Sequence, residues 1–170
     1  MVVWIVGLSG AGKTTLARQV VVECRKHAPN VVLIDGDEVR AMFGGDLGHT
    51  IDDRRKNAER ICRLCKFLDD QGIYVVCAIL SLFPKSREWN RQNIDHYYEV
   101  FIDTPIAELK SRDSKGIYGR FAQGEIRDVA GLDLEFPRPD ADLVIENCGS
   151  REALLGYAGQ IARTMLGAQQ

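Results

Sequence analysis

The chain has 170 residues, 45% hydrophobic and 27% charged, a composition that specifies one ordinary globular domain and excludes a disordered or fibrous chain. Lysine and arginine total 22 against 24 acidic residues, a formal charge of -2, so there is no global basic field and nucleic acid is not an expected partner. The opening apolar run, Met1 to Val6, is far too short for a membrane span and lacks the basic flank of a signal peptide. With five irregularly spaced cysteines, which suit a reducing cytosol better than secretion, the cytoplasm is the expected compartment and no membrane partner is expected.

Val2 to Val6 is a continuous apolar run rich in β-branched residues, the pattern of a strand buried on both faces. A glycine-rich turn follows, and Lys13 to Lys26 then carries Leu16, Ala17, Val20, Val21 and Cys24 on one helical stripe. Val31 to Ile34 reads as a second buried strand ending in Asp35-Gly36-Asp37. Residues 53–71 form a predicted long helix with Ala58, Ile61, Cys62, Cys65 and Leu68 inward, capped by Gly72. Tyr74 to Leu80 and Tyr97 to Ile102 are the next strands. Thr104-Pro105 reads as an N-cap followed by proline at the first helical position, opening a helix to about Arg112. Residues 113–140 are rich in glycine and proline with weak periodicity, and are expected to be a mobile loop, with a lid at about 113–133. Leu143 to Ile145 is a short last strand and Arg151 to Leu166 a closing helix.

Strands alternating with helices imply right-handed crossovers and a mostly parallel sheet covered on both faces. The expected fold is thus α/β, a single three-layer domain over residues 1–170, with ligands at the carboxyl ends of the strands.

Gly7-Leu8-Ser9-Gly10-Ala11-Gly12-Lys13-Thr14 matches G-x-x-x-x-G-K-[ST], a P-loop, between a predicted strand and a predicted helix. The glycines let successive N–H groups turn inward onto phosphate oxygens at a helix N-terminus of partial positive charge. Gly7, Ser9, Gly10, Ala11, Gly12, Lys13, Thr14 and Thr15 are the expected ATP-phosphate ligands, with Lys13 reaching the outer phosphates and the Thr14 hydroxyl available to Mg²⁺. Asp35 and Asp37 leave the second strand beside this loop, where a phosphoryl transferase needs an acid to hold the metal or orient the attacking hydroxyl. Gly36 is expected to permit a tight turn between them. Either aspartate could instead cap the next helix, and the split of roles between them stays open; Asp35 is the metal candidate beside Thr14.

Taken with further spaced blocks, the chain resembles adenylylsulfate (APS) kinase over nearly all of residues 1–147. The blocks are 7–15, Asp35-Gly36-Asp37-Glu38-Val39-Arg40, Asp53-Arg54 with Asn57 and Arg60, Ser81, Phe101-Ile102-Asp103-Thr104-Pro105, Arg112-Asp113-Ser114-Lys115-Gly116-Ile117-Tyr118, Gly124-Glu125-Ile126 and Gly131-Leu132-Asp133. The resemblance implies a P-loop kinase fold and transfer of the ATP γ-phosphate to a ribose 3′-hydroxyl with Mg²⁺. It implies that Arg40, Arg54 and Asn57 hold the acceptor nucleotide, that Asp37 lies near the accepting hydroxyl, and that Lys115 is a lid lysine near the phosphates. Arg112 would lie against the ATP base. Ser81 matches a serine sometimes assigned as a phosphoenzyme site, although direct in-line transfer needs no covalent step. On the residues alone, Asp53, Asn57 and Arg60 share one helical face with Arg54 adjacent, and a guanidinium can clamp a phosphate bidentately. The same charges could equally solvate an exposed face.

The chain departs from the family where two phenylalanines typically sandwich the APS adenine: His49 and Val129 stand in those places. Glu59 replaces a common arginine, and Leu80-Ser81-Leu82-Phe83-Pro84 replaces Ile-Ser-Pro-Tyr-Arg. A stacked base is worth about 1–3 kcal/mol, so the changes would weaken APS by about tenfold to a thousandfold. Histidine can still stack or hydrogen-bond, so an altered acceptor is expected. The resemblance extends to the cytidine diphosphoramidate kinase branch, which accepts a cytidine nucleotide, with genuine APS kinase as the alternative.

Cys62-x-x-Cys65 reads as core rather than zinc, since no second ligand pair is near. Asp113-x-x-Gly116 and Asp128-x-x-Gly131 imitate a GTPase switch motif but follow no suitable strand. A non-catalytic nucleotide-binding module could dispense with Lys13, an aspartate or Lys115, and all are retained. A homodimer is a further expectation, with Phe83, Trp89 and Tyr97 as an apolar surface.

Overall fold

The structure, a computed structural model, describes residues 1–113 and 115–167; Ser114 of the 112–118 block and the last three residues of the expected domain lie outside the described residues. Strand β1 (Val2–Val6) is buried at every residue because it occupies the centre of a five-stranded parallel sheet. It lies between β3 (Tyr74–Ile79) and β4 (Tyr97–Asp103), with β2 (Val31–Asp35) beyond β3 and β5 (Leu143–Glu146) beyond β4. Val6 is in register with Ile79 on one side and Phe101 on the other, so β1 and β3 finish level while β4 runs two residues further, to Asp103, alongside β5.

The side-chain alternation of β1 divides the core into two faces. Val3 and Ile5 join the cluster with Leu16 and Val20 of α1 (Lys13–Arg25) and Ile161 and Met165 of α8 (Ala158–Gly167). Val2, Trp4 and Val6 join Ile61, Cys62 and Cys65 of α3 (Ile51–Asp70). Trp4, Ile5, Leu16 and Ile161 are fully buried, so truncating any one to alanine costs about 2–5 kcal/mol. This is the expected three-layer α/β fold. Cys62, Cys65 and Cys77 are buried core residues as expected, and Cys148 is exposed. Among the described residues no helix is long and apolar enough to cross a membrane.

Several local expectations change. Gly36 opens no tight turn: it begins α2 (Gly36–Met42), and Asp35 is the N-cap, accepting the Asp37 N–H at 2.9 Å. Helix α3 starts two residues before the expected 53, because Thr50 Oγ1 accepts from Asp53 N at 3.2 Å. Its end follows expectation: Gly72 has φ 73, with Ile73 N–H bonded to Leu68 O and Gly72 N–H to Asp69 O. Thr104 does not cap α5 (Ile106–Arg112); Pro105 holds the cap position, and the Thr104 hydroxyl is buried without a partner. The expected loop at 113–140 contains a short helix, α6 (Ile117–Ala122). The closing helix is divided into α7 (Arg151–Gly156) and α8, at Gly156, a poor helix former. An unforeseen helix, α4 (Pro84–Asn93), carries Trp89, which with Tyr97 is partly buried against the Trp4 cluster.

Candidate active site

The carboxyl ends of β1, β2 and β3 surround a cleft of about 880 Å³, the place an open parallel sheet offers a ligand. Ser9, Gly10, Gly12, Lys13, Thr14 and Thr15 line it from the first strand–helix junction. Gly10 and Gly12 have φ of 79 and 94, the left-handed conformations through which the loop curls its amides inward. Gly7 and Ala11 do not line the cleft. Gly7 sits where a Cβ would lie 2.9 Å from Ile102 O, so its glycine lets the loop press against β4.

The two aspartates divide cleanly. Asp35, 9% exposed, accepts the Thr14 hydroxyl on Oδ2 at 2.7 Å while its Oδ1 caps α2, so capping and site roles use different oxygens. Asp37 lines the cleft and pairs with Lys115 at 2.7 Å, which brings Lys115 across to the strand edge. Burial pushes the Asp37 carboxyl up, but the hydrogen bond and charge of Lys115, with Lys13 and Arg40, outweigh this and hold it below the usual range. Lys13 donates to Leu8 O at 2.8 Å, and burial, assisted by the charge of Lys115 and opposed by Asp37 and Asp35, lowers its pKa from 10.5 to about 8.

The far half of the cleft is lined by Arg40, His49, Arg54, Asn57, Ser81 and Val129, all expected acceptor residues. Arg54 Nε donates to His49 O at 2.9 Å; burial lowers its pKa, Arg40 adds to this, and Asp128 and Asp133 oppose it. Asn57 is 3% exposed and donates to Gly36 O at 3.2 Å, an anchor that leaves its Oδ1 without a partner. Asn57 lines the cleft, and an orphaned buried acceptor of this kind calls for a hydroxyl or amino donor. Val129 is fixed by its backbone, since Asp133 accepts the N–H groups of Asp128 and Val129 at 3.0 and 2.7 Å.

The remaining residues of the family-like blocks make other contacts. Asp53 stays in the α3 cap, accepting from Gly48 N and Thr50 Oγ1. Arg60 grips Asp46 through both terminal nitrogens and covers the Phe43 ring at 4.2 Å. Arg112 does not line the cleft; it reaches Asn147 O at 3.3 Å and Gly149 O at 3.5 Å. Asp113 accepts from Tyr118 N and Gly119 N, a local brace for α6 instead of a switch.

Sequence reasoning missed Asn147, whose buried amide donates to Ala11 O at 3.0 Å, and Tyr118, whose hydroxyl donates to Ser9 O at 2.9 Å. Both brace the phosphate loop, one from behind β5 and one from α6. It also missed Leu82 and Phe83 as cleft wall. An apolar pair after the third strand was the available signal.

A parallel sheet with this loop, an acid pair and a basic far wall defines a kinase of the P-loop class. The family model for adenylylsulphate kinase matches residues 1–146, and the chain belongs to that family. It is 37% identical over 149 residues to the cytidine diphosphoramidate kinase of Campylobacter jejuni subsp. jejuni serotype O:2, covering 86% of this chain and 85% of that one. It is 36% identical over 140 residues to the adenylyl-sulfate kinase of Pseudomonas aeruginosa, covering 81% and 71%. Among solved structures, the Mycobacterium tuberculosis APS kinase CysC in complex with AMPPNP and APS superposes with a TM-score of 0.87 at 30% identity, covering 97% of this chain and 96% of that one.

Proposed function

We propose that this kinase transfers the γ-phosphate of ATP to the ribose 3′-hydroxyl of a small nucleotide other than APS, with cytidine diphosphoramidate the favoured acceptor. The ATP phosphates occupy the Ser9–Thr15 loop, with Lys13 on the outer phosphates. Thr14 and Asp35 offer a hydroxyl and a carboxylate at 2.7 Å, hard oxygens that suit Mg²⁺. Among the described residues no cluster of three or more acidic, histidine or cysteine side chains could hold a metal alone, so the nucleotide's phosphates would complete the ion's shell. When bound, the ion would neutralise phosphate charge. Asp37 orients the accepting hydroxyl; Lys115, paired with it, sits where transferred charge must be balanced. The segment at 113–133 acts as a lid, delivering Lys115 and Val129 to the cleft. Arg40 and Arg54 hold the acceptor's phosphates.

The observation that carries the choice of acceptor is the far wall. It presents His49 and the backbone-anchored Val129 to the base, one small imidazole and one aliphatic side chain, a weaker stack for an adenine than two phenyl rings. The first relative named above points the same way by its name. Genuine APS kinase is the second reading, favoured by the P. aeruginosa relative. ATP turnover measured side by side with cytidine diphosphoramidate and APS decides: the former is expected to react at the lower KM. Rapid, tight turnover of APS alone would overturn the proposal.

A further inference from the structure

The β3–α4 turn is held in a conformation its sequence does not favour. Ser81 has φ 54, a left-handed backbone for a residue with a Cβ, and is 3% exposed. Such a residue persists only where the surroundings fix it. Here its hydroxyl and its carbonyl are both held. Trp4 Nε1 donates to Ser81 Oγ at 3.2 Å from β1, and Arg87 Nη1 donates to Ser81 O at 2.7 Å from α4. Arg87 is itself 7% exposed and balanced by Glu99, whose Oε1 lies 3.4 Å from Nε. Glu99, 1% exposed, is fixed in turn by the Tyr97 hydroxyl at 2.9 Å. Arg87 Nη2 also reaches Pro137 O at 3.5 Å, tying this turn to the segment that follows the lid. The turn so clamped supplies Leu80, Ser81, Leu82 and Phe83 to the cleft wall, on the side of Arg54 and Asn57. Among the described residues the polar partners of Arg87 are Ser81, Glu99 and Pro137, none of them in the phosphate loop.

We propose that Arg87 is a positioning residue for the acceptor nucleotide: neutralised by Glu99, it clamps the carbonyl of the left-handed Ser81 and so sets Leu80–Phe83 as the wall against which the acceptor lies. The inference rests on the acceptor half assigned above but not on which nucleotide fills it. The test therefore uses whichever acceptor the wild-type enzyme turns over, and its failure is distinct from failure of that assignment. Ser81, with its hydroxyl buried under the Trp4 indole, serves in this account as the hinge of the wall.

Steady-state kinetics are measured for Arg87→Met, Arg87→Lys and the double variant Arg87→Met/Ser81→Gly. Arg87→Met is expected to raise the acceptor KM by about tenfold, the factor that the cost of one strained residue corresponds to, with the ATP KM within about twofold. Arg87→Lys keeps the charge beside Glu99 and one donor, and is expected to lie between. Glycine populates φ above zero without penalty, so Ser81→Gly in the Arg87→Met background is expected to recover much of the acceptor KM. An acceptor KM unchanged in Arg87→Met, equal rises in both KM values, or no recovery in the double variant overturns the proposal. Should Arg87→Met fail to fold, Arg87→Lys decides alone: a rise confined to the acceptor KM supports the clamp, and unchanged or parallel KM values refute it.

Discussion

Lys13 titrates inside the range of ordinary assays, which makes the phosphate cradle testable by pH. Burial, with the charge of Lys115 behind it, lowers its pKa to about 8, while Asp37 and Asp35 hold it from falling further. With that value, Lys13 is about nine-tenths charged at pH 7 and about one-tenth charged at pH 9 in the free enzyme. Because kcat/KM reports ionisations of the free enzyme, kcat/KM for ATP should fall about tenfold per pH unit above 8. Bound triphosphate favours the ammonium, so the limb in kcat should move to higher pH. Lys13→Arg supplies the control: a guanidinium stays charged, so this variant should lose the limb even where its rate is lower. Stability has a defined sign as well. The unfolded chain binds the Lys13 proton more tightly, so between about 8 and the ordinary 10.5 the contribution of Lys13 to stability should rise with pH. It is read as the difference between wild type and Lys13→Met, because the buried thiols of Cys24, Cys62 and Cys77, raised by burial, contribute with the opposite sign. A kcat/KM profile flat beyond pH 9, or an unchanged limb in Lys13→Arg, would refute the reasoning.

Gly12→Ala places a Cβ 2.6 Å from Leu154 Cδ2 at a φ of 94. The left-handed backbone alone costs about 1–2 kcal/mol, so the melting temperature should drop by about 2–8 °C, with nucleotide binding weakened; an unchanged Tm would refute the packing argument. Hydrogen exchange across 115–133 should slow when ATP and acceptor bind, because the lid orders against Asp37 through Lys115; exchange that did not respond would count against closure.

The strands and long helices were legible because their buried faces are apolar: Leu16, Ala17, Val20, Val21 and Cys24 mark α1 by spacing alone. Helix α4 was not legible, because the residues it buries are Ser86, Arg87 and Asn90, polar groups that a hydrophobic pattern reads as exposed. The phosphate loop was legible because backbone geometry demands its glycines, and Gly10 and Gly12 occupy the left-handed region. Gly36 misled for the complementary reason: it lies at a helix start, where glycine imitates a turn signal. The division between Asp35 and Asp37 needed coordinates, since only the distance from Thr14 to one and from Lys115 to the other separates them. Arg60 and Asp53 share a helical face with Asn57, but sequence spacing cannot reveal that Asp46 and Thr50 already engage them. The Ser81 clamp was equally hidden, since it joins residues from β1 and α4 around a φ that no motif encodes.

The measurement nearest the central claim is a single-turnover, rapid-quench assay of labelled γ-phosphate transfer by Asp37→Asn with ATP and acceptor both saturating. The geometry, with Asp37 held ionised at the cleft beside Lys115, predicts transfer slowed by about a hundredfold or more while ATP remains bound. Transfer at the wild-type rate would contradict it.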